Sequence, residues 1–368
     1  MRFTNETGLP AGWTMGFQRD GRELLVTVVK ATYRLPPPGF EPELAAKQVP
    51  LVQGDQFSGE PGKSAPLLET DYAHRKPACD VLLLGHAHAP AGRRATRVRV
   101  GLKVGQLVKQ FDVVGQRRWR RHAGVVVATQ PEPFERIAIS YDVAFGGTDR
   151  TEEAEHGRTD AYALNPVGVG YGRHAGWIDD RPLPCTEQID RPVDDPAGDY
   201  APMALSPIGR NWLLRRAYAG TYDQQWIETT APLWPEDFDE RYFQAAPPEQ
   251  TIPFPQGGEP VVLRNLTADG ERRFSLPLKP MPILFIPHRG RDAVRNAAID
   301  TIVFEPDEER FTLTWRVALP LGKSVFEVKE TVVGEMPSAW HRVRRSPGKT
   351  YYRNLAEAVS AHRKKGRG

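Results

Sequence analysis

The sequence has very little cysteine and no long hydrophobic run. Its 368 residues include two cysteines, Cys79 and Cys185, which are too few for a disulfide scaffold or a cysteine-rich zinc module. The hydrophobic runs fall short of the roughly 20 residues that a membrane-spanning helix needs. The N-terminus also lacks the charged and then apolar pattern of a signal peptide. We therefore expect a soluble, cytoplasmic protein that does not bind membranes.

The sequence also lacks the short motifs that commonly mark an active site. It contains no Gly-x-Ser-x-Gly, no Walker loop and no dinucleotide fingerprint in a βαβ setting. Gly168, Gly170 and Gly172 follow an Asn-Pro pair instead of a strand, and no periodic helix comes after them. These glycines therefore favour a sharp backbone path over a phosphate cradle. We expect no catalytic residues, no cofactor and no enzyme activity.

Helical periodicity is scarce, whereas alternation with a period of two recurs in both halves of the chain. Residues 23–33 are dense in β-branched and aromatic side chains, and in residues 96–104 valine and leucine alternate with arginine, glycine and lysine. Glycine (33 residues) and proline (34 residues) supply many turns. The pattern predicts a mainly β fold of antiparallel sheets, packed as a sandwich or open barrel, with long irregular loops and few short helices. One face of the strand at 96–104 should be buried and the other basic.

The same pattern divides the chain into four parts. Two β-rich parts, residues 1–145 and 211–335, flank an irregular connecting segment at 146–210. Residues 336–368 form a basic tail, in which 353–364 have the pattern of a short helix with basic residues in its last turn. A basic tail can bind nucleic acid or an acidic protein surface, although most such tails are simply solvated chain ends.

Two histidines, His86 and His88, lie at the end of an apolar strand, where both rings can point the same way. Together with an acid such as Asp71, or with His74 or Asp80, they could bind a metal ion and support a metal-dependent hydrolase. No HExxH or cysteine-pair spacing accompanies them, so structural histidines are favoured and no metal site is expected. The hydrolase remains the alternative function.

A run of arginines surrounds a tryptophan at residues 117–121. Cations beside an aromatic ring occur on nucleic-acid-binding surfaces. The sequence around the run matches no known nucleic-acid-binding fold, so we do not expect nucleic acid to be a partner.

Large aromatic side chains are concentrated in a short stretch that is rich in turn signals. From this stretch we predict a partner-binding surface formed by Tyr222, Asp223, Trp226, Trp234 and Phe238. Aromatic side chains bury large areas and are enriched at interface hot spots. The alternative is that they cover an edge of the β core, and residue type alone does not distinguish the two.

Several segments, taken in order, resemble a known bacterial family. They are NETGLPAG, VVKATYRL, KPACDVLLLGHAHAP, AFGG, NPVGVGY, GRNWLLRRAYAGTYDQQW and APLWPEDFDERYFQAAPPEQ. From about Asn5 to Leu319 the chain is similar to a domain of unknown function that is associated with type VI secretion. Members of that family form an effector adaptor or chaperone class distinct from the Tap-type and Eag-type adaptors. One departure is Cys79, which stands where a small polar residue is expected.

The resemblance implies a non-enzymatic function. Such an adaptor would bind a toxic effector in the cytoplasm and help to load it onto the VgrG spike, often through a PAAR tip domain. The partners that it implies are therefore a type VI effector and the VgrG spike protein. The resemblance implies no catalytic residues in this chain.

Overall fold

The computed structural model describes residues 1–344, 346, 349–352, 355, 356 and 359. The described residues form 25 strands, five α-helices and six short 3₁₀ helices, so the prediction of a mainly β fold with few short helices is confirmed. The strands are β1 (Arg2–Asn5), β2 (Ala11–Phe17), β3 (Glu23–Arg34), β4 (Gln56–Phe57), β5 (Pro66–Leu68), β6 (Cys79–Leu83), β7 (Gly85–His88), β8 (Arg97–Val104), β9 (Leu107–Val114), β10 (Trp119–His122), β11 (Val125–Ala128), β12 (Arg136–Ile139), β13 (Phe145–Gly146), β14 (Thr148–Asp149), β15 (Asp160–Ala161), β16 (Val169–Gly170), β17 (Thr186–Glu187), β18 (Thr251–Ile252), β19 (Pro260–Arg264), β20 (Glu271–Ser275), β21 (Pro282–Pro287), β22 (Ala293–Asn296), β23 (Ala298–Glu305), β24 (Arg310–Pro320) and β25 (Val328–Val333).

The helices are short and lie mostly in the second half of the chain. The α-helices are α1 (Glu153–His156), α2 (Ala175–Ile178), α3 (Leu213–Arg216), α4 (Gln224–Thr229) and α5 (Ser338–Arg344). The 3₁₀ helices are Pro90–Gly92, Tyr141–Val143, Glu240–Phe243, Pro248–Gln250, Pro306–Glu308 and Val325–Glu327. Within the described part of the chain, no helix has both the length and the apolar character of a membrane span.

Two open sheets form a sandwich. The larger has six strands in the order β18-β6-β23-β24-β3-β2, and all neighbours are antiparallel except β6 and β23. The smaller has five antiparallel strands in the order β17-β9-β8-β19-β20. Phe274 on the smaller sheet contacts Phe304 and Phe311 on the larger one, with ring centroids 6.3 and 5.4 Å apart. The main hydrophobic core therefore lies between the two sheets.

Strand β8 shows why the alternating sequence pattern was informative. Val98 and Val100 are buried in the main core, whereas Arg99 and Lys103 are exposed on the opposite face of the sheet. A β-strand directs successive side chains to opposite faces, so one face packs on the core and the other meets solvent. The expectation of one buried and one basic face is thus met.

The two β-rich parts of the sequence share one sheet and one core. Strands β3 and β6 come from residues 1–145, and they pair with β18, β23 and β24 from residues 211–335. The beginning of the 336–368 tail also packs on the body, because Trp340 of α5 is buried against Leu284 and Val332 of a four-stranded sheet, β1-β25-β21-β22. The helix expected at 353–364 lies largely outside the described residues.

The irregular connecting segment contains a close backbone crossing. Strand β13 pairs in parallel with β16, which brings the AFGG and NPVGVGY segments together. A Cβ atom on Gly168 would overlap the carbonyl oxygen of Ala144, and Gly146 has a φ of +149° beside Asn165. Only glycine allows backbones to approach this closely at such angles. The arrangement agrees with a sharp backbone path at these glycines.

Candidate functional site

A short projecting helix carries part of the predicted partner-binding surface. Helix α4 begins after Asp223, whose Oδ1 accepts a hydrogen bond of 2.8 Å from the backbone N–H of Trp226. This cap satisfies an N–H group that the first helical turn leaves free. Thr221 lies just before the helix. Its backbone N–H and its hydroxyl donate hydrogen bonds of 2.9 and 2.7 Å to the carboxylate of Asp237. Asp223 therefore shapes the surface by ordering the helix.

Three apolar side chains around α4 are exposed, whereas that of Trp226 is half-buried. Tyr222 is 53% exposed and Ile227 is 57% exposed, and Leu233 is also exposed. The rings of Tyr222 and Trp226 meet edge to face with centroids 4.8 Å apart, and the Trp226 indole N–H donates to the carbonyl of Leu233 at 2.8 Å. We call Tyr222, Trp226, Ile227 and Leu233 the aromatic helix surface. Apolar patches of this kind commonly mark interaction sites.

The remaining predicted aromatics belong to a different, covered cluster. Phe238 is only 3% exposed, and it stacks on the half-buried Trp234. His74 and Phe243 complete the cluster, with ring centroids 4.9 Å apart. Burial lowers the pKa of His74, and the nearby Arg316 lowers it further. Phe238 thus follows the alternative considered from the sequence, in which aromatics cover an edge of the core, and it lies outside the aromatic helix surface.

Buried polar contacts hold this region on the central sheet. Asp80 of β6 accepts hydrogen bonds from the Gln244 side-chain amide at 2.6 Å and from the backbone N–H groups of Ala245 and Ala246 at 2.9 and 3.1 Å. Its fourth partner is the ammonium group of Lys76, at 2.7 Å. Asp80 is fully buried, and a buried carboxylate without partners would be very unfavourable. Together these four donors stabilise its charge. The chain that follows the covered aromatic cluster is therefore firmly anchored.

The two histidines of the alternative site face an acid that sequence reasoning missed. His86 Nδ1 lies 2.6 Å from Asp307 Oδ2, and His88 Nε2 lies 3.5 Å from Asp307 Oδ1. The acids considered from the sequence are engaged elsewhere, since Asp71 pairs with Lys30 and Asp80 pairs with Lys76. No sequence signal could identify Asp307, because it lies 221 residues from His86 along the chain.

This cluster is a poor place for a cation. The guanidinium group of Arg136 lies 3.6 Å from Asp307 Oδ2 and 3.1 Å from His86 Nδ1. Burial lowers the pKa of His88, an effect that the Asp307 carboxylate partly opposes. Among the described residues, no group of three His, Cys, Asp or Glu side chains is arranged to hold a metal ion. Instead, His86, Asp307 and Arg136 form an ion-pair network at the end of β7.

The arginine run at 117–121 has mainly structural contacts. Trp119 is fully buried, and its indole N–H donates to the carbonyl of Gly170 at 3.0 Å, so this ring cannot stack on a nucleobase. Arg117 is buried and pairs with Glu187 at 2.7 Å. The run therefore lacks the exposed aromatic ring that motivated a nucleic-acid hypothesis.

Comparison with known proteins gives one match. No curated protein and no solved structure matches the chain. The family model described as an uncharacterized protein conserved in bacteria (DUF2169) matches residues 20–316, which include most of both main sheets and the whole aromatic helix surface. The resemblance to a bacterial domain of unknown function is confirmed to that extent. The chain therefore belongs to the DUF2169 family of bacterial proteins.

Proposed function

We propose that this protein is a non-enzymatic adaptor that binds a type VI secretion effector in the cytoplasm and helps to load it onto the VgrG spike. Its partners are then the effector, which in some cases carries a PAAR tip domain, and the spike protein. The observation that carries the proposal is the aromatic helix surface, where apolar side chains project from an anchored loop. The role in type VI secretion itself comes from the sequence resemblance.

The aromatic helix surface has the features of a preformed docking element. A helix of six residues is too short to be stable alone, so its order comes from the Asp223 cap and from the contacts of Asp237 with Thr221. An ordered element loses little conformational entropy when a partner binds. Tyrosine and tryptophan, the residue types of Tyr222 and Trp226, are enriched among the side chains that dominate the binding energy of protein interfaces.

The charges beside α4 indicate the chemistry of the partner. The exposed side chains around the helix include the acids Asp223, Glu228, Glu236 and Asp237. An effector surface that fits would therefore present an apolar pocket bordered by lysine or arginine side chains. Rim charges of this kind accelerate association and select the partner more than they strengthen binding.

The alternative, a metal-dependent hydrolase, receives less support. It would need the Asp307 carboxylate to bind a cation together with His86 and His88. The guanidinium group of Arg136 already lies against that carboxylate, and its positive charge would repel a metal ion. We therefore favour the adaptor function.

The proposal is tested by co-expression with a candidate effector from the same secretion locus, followed by affinity purification and quantitative mass spectrometry. Changing both Tyr222 and Trp226 to Ala should reduce effector capture about 30-fold or more, the loss expected for a hot-spot side chain. Phe40→Ala is the matched control, because Phe40 is an aromatic residue that is 67% exposed in the loop after β3, whereas Leu233 of the aromatic helix surface lies beside Gly21, before the other end of that strand. Equal capture by all three proteins would contradict the proposal.

A further inference from the structure

A cavity of about 450 Å³ lies beside the arginine run. Its described lining residues all lie outside α4 and the aromatic helix surface. Its lining includes the arginines Arg117, Arg118 and Arg120 and the apolar residues Val169 and Leu183. We call it the arginine cavity. Pockets for small ligands and peptide ends fall in this size range and combine an apolar lining with a few polar groups.

Backbone hydrogen bonds fix the walls of the arginine cavity. The N–H of Leu183 donates to the carbonyl of Arg117 at 3.0 Å, and the N–H of Cys185 donates to the carbonyl of Val143 at 2.8 Å. Val169 is held by the parallel pairing of β16 with β13 at the glycine crossing. The cavity is therefore built into the fold, and a ligand would not have to order it.

Arg117 has a buried donor with no acceptor. Its side chain is 7% exposed, and its Nη2 donates to Glu187 Oε1 at 2.7 Å and to the carbonyl of Pro184 at 2.9 Å. Within the described part of the chain, the Nε–H of Arg117 has no hydrogen-bond partner. Most buried polar groups in proteins are paired, so the unpaired N–H of this cavity-lining guanidinium group is an unusual feature of the site.

The net charge of the cavity is small, which limits the negative charge that a ligand can carry. The Arg117 charge is offset by Glu187. Arg118 and Arg120 share one acid, with their Nη1 atoms 3.8 and 2.8 Å from Asp180 Oδ1, and Glu132 also lines the cavity. A doubly charged phosphate would find too little positive charge here. A single carboxylate, which accepts guanidinium hydrogen bonds well, fits better.

We propose that the arginine cavity binds a carboxylate group of a peptide, with a neighbouring apolar side chain of that peptide against Val169 and Leu183. The carboxylate belongs either to the C-terminus of the peptide or to an aspartate or glutamate side chain. The proposal goes beyond the adaptor function and does not depend on it, because the cavity and the aromatic helix surface share no described residue.

Calorimetric titration of the full-length protein with short peptides tests the proposal. The probes are acetyl-Val-Leu with a free carboxylate, its C-terminal amide, acetyl-Glu-Leu amide and inorganic phosphate. Binding of the first peptide and not of its amide indicates a C-terminal carboxylate, whereas binding of the glutamate peptide indicates a side chain. Failure of both carboxylate probes to bind, equal binding of acetyl-Val-Leu amide, or tighter binding of phosphate, would overturn the proposal.

Two further measurements locate the binding site. Changing Arg118 and Arg120 to Gln should weaken binding at least about tenfold, while Arg22→Gln, at an exposed and distant ion pair, should leave it unchanged. The bound peptide should also slow alkylation of Cys185, which lines the cavity, several-fold. Cys79, which is fully buried in the main core, is the internal control.

Burial raises the pKa of the Cys185 thiol, so the alkylation is run at about pH 9 to populate the thiolate. Unchanged affinity in the double arginine variant, together with unchanged alkylation of Cys185, would place the peptide elsewhere and refute the proposal. Arg118 and Arg120 are both more than half exposed, so the double variant is expected to keep the melting temperature of the unmodified protein.

Discussion

Trp234 stacks on Phe238, with ring centroids 4.5 Å apart and an angle of 28° between the ring planes. Helix α4 ends at Thr229, five residues before Trp234, and at the beginning of this helix Tyr222 and Trp226 meet edge to face. A single aromatic-rich stretch therefore has two differently placed parts. Its second part packs on the body, and its first part includes the exposed side chains of Tyr222 and Ile227.

This division predicts that truncation in the two parts changes stability by very different amounts. Phe238→Ala removes a buried ring from the covered cluster and should lower the free energy of unfolding by about 3–5 kcal/mol. Tyr222→Ala removes a largely exposed ring and should change it by no more than about 0.5 kcal/mol. Urea denaturation of both variants measures the difference. A comparable loss in the two variants would show that Tyr222 also packs on the body.

Asp80 should be among the least replaceable side chains. It is fully buried and accepts hydrogen bonds from Lys76, Gln244, Ala245 and Ala246. In Asp80→Ala the buried ammonium group of Lys76 loses its counter-charge, so we expect a loss of about 3–5 kcal/mol in the free energy of unfolding.

The matched control for Asp80 is Asp20→Ala, at an exposed acid that pairs with Arg22. We expect no measurable change there, because exposed ion pairs contribute little to stability. A double change of Asp80 and Lys76 to Leu and Met should recover part of the loss, since it removes both buried charges. Full stability of Asp80→Ala alone would contradict the role assigned to this carboxylate.

His74 should make the protein less stable at acidic pH. In the folded protein its pKa lies below the usual histidine value of about 6.5, because the ring is buried and Arg316 is close. Below about pH 6.5 the unfolded chain therefore binds a proton that the folded chain does not, and stability falls as pH falls. Replacing His74 with Gln should flatten this part of the stability profile. A profile as steep as that of the unmodified protein would assign the dependence to other groups.

His174 should show the opposite sign. Its pKa is raised, first by the hydrogen bond to Asp149, with Nδ1 2.9 Å from Oδ2. The folded chain binds the proton more tightly than the unfolded chain, so the stabilisation is complete below about pH 6.5 and is lost as pH rises through the folded pKa. His174→Gln should therefore lower the melting temperature at pH 5.5 more than at pH 8.5, as differential scanning calorimetry would show. A loss that is equal at both pH values would rule out this linkage.

The sequence predicted the local features of the fold well and the long-range ones poorly. The density of β-branched and aromatic side chains identified β3, and alternation identified β8, both almost to the residue, because both signals are local properties of a strand. The parallel pairing of β6 with β23 joins residues more than 200 positions apart, and no local pattern specifies it. The same reason explains why His86 could be singled out whereas its partner, Asp307, could not.

The predicted site shows the same limit at the level of single side chains. Residue type identified an aromatic-rich stretch correctly, but the exposure of Tyr222 and the burial of Phe238 depend on which side chains pack above them. The Phe238 ring is covered by Trp234 and Phe243, and the latter also contacts His74, which lies far away in the sequence. The amino-acid composition of the stretch cannot show that the Phe238 ring is covered in this way.

The glycine crossing gives the last prediction, and it bears on the arginine cavity. A Cβ atom on Gly168 would overlap the carbonyl oxygen of Ala144 and the side-chain amide of Asn165, which is itself fully buried. Because one of these neighbours is backbone and the other is packed on all sides, neither can move aside without separating β13 from β16. We expect Gly168→Ala to lower the free energy of unfolding by at least about 1–3 kcal/mol.

Gly176→Ala is the matched control for this change. Gly176 lies in α2, and an added Cβ atom would meet nothing within 4 Å. Alanine in a helix is favoured over glycine, so this variant should be unchanged or more stable by about 0.4–1 kcal/mol. Because Val169 lies directly after Gly168 and lines the arginine cavity, Gly168→Ala should also expose Cys185 to faster alkylation, whereas Gly176→Ala should not. Equal stability and equal alkylation in the two variants would show that the crossing tolerates a side chain and that the cavity wall does not depend on it.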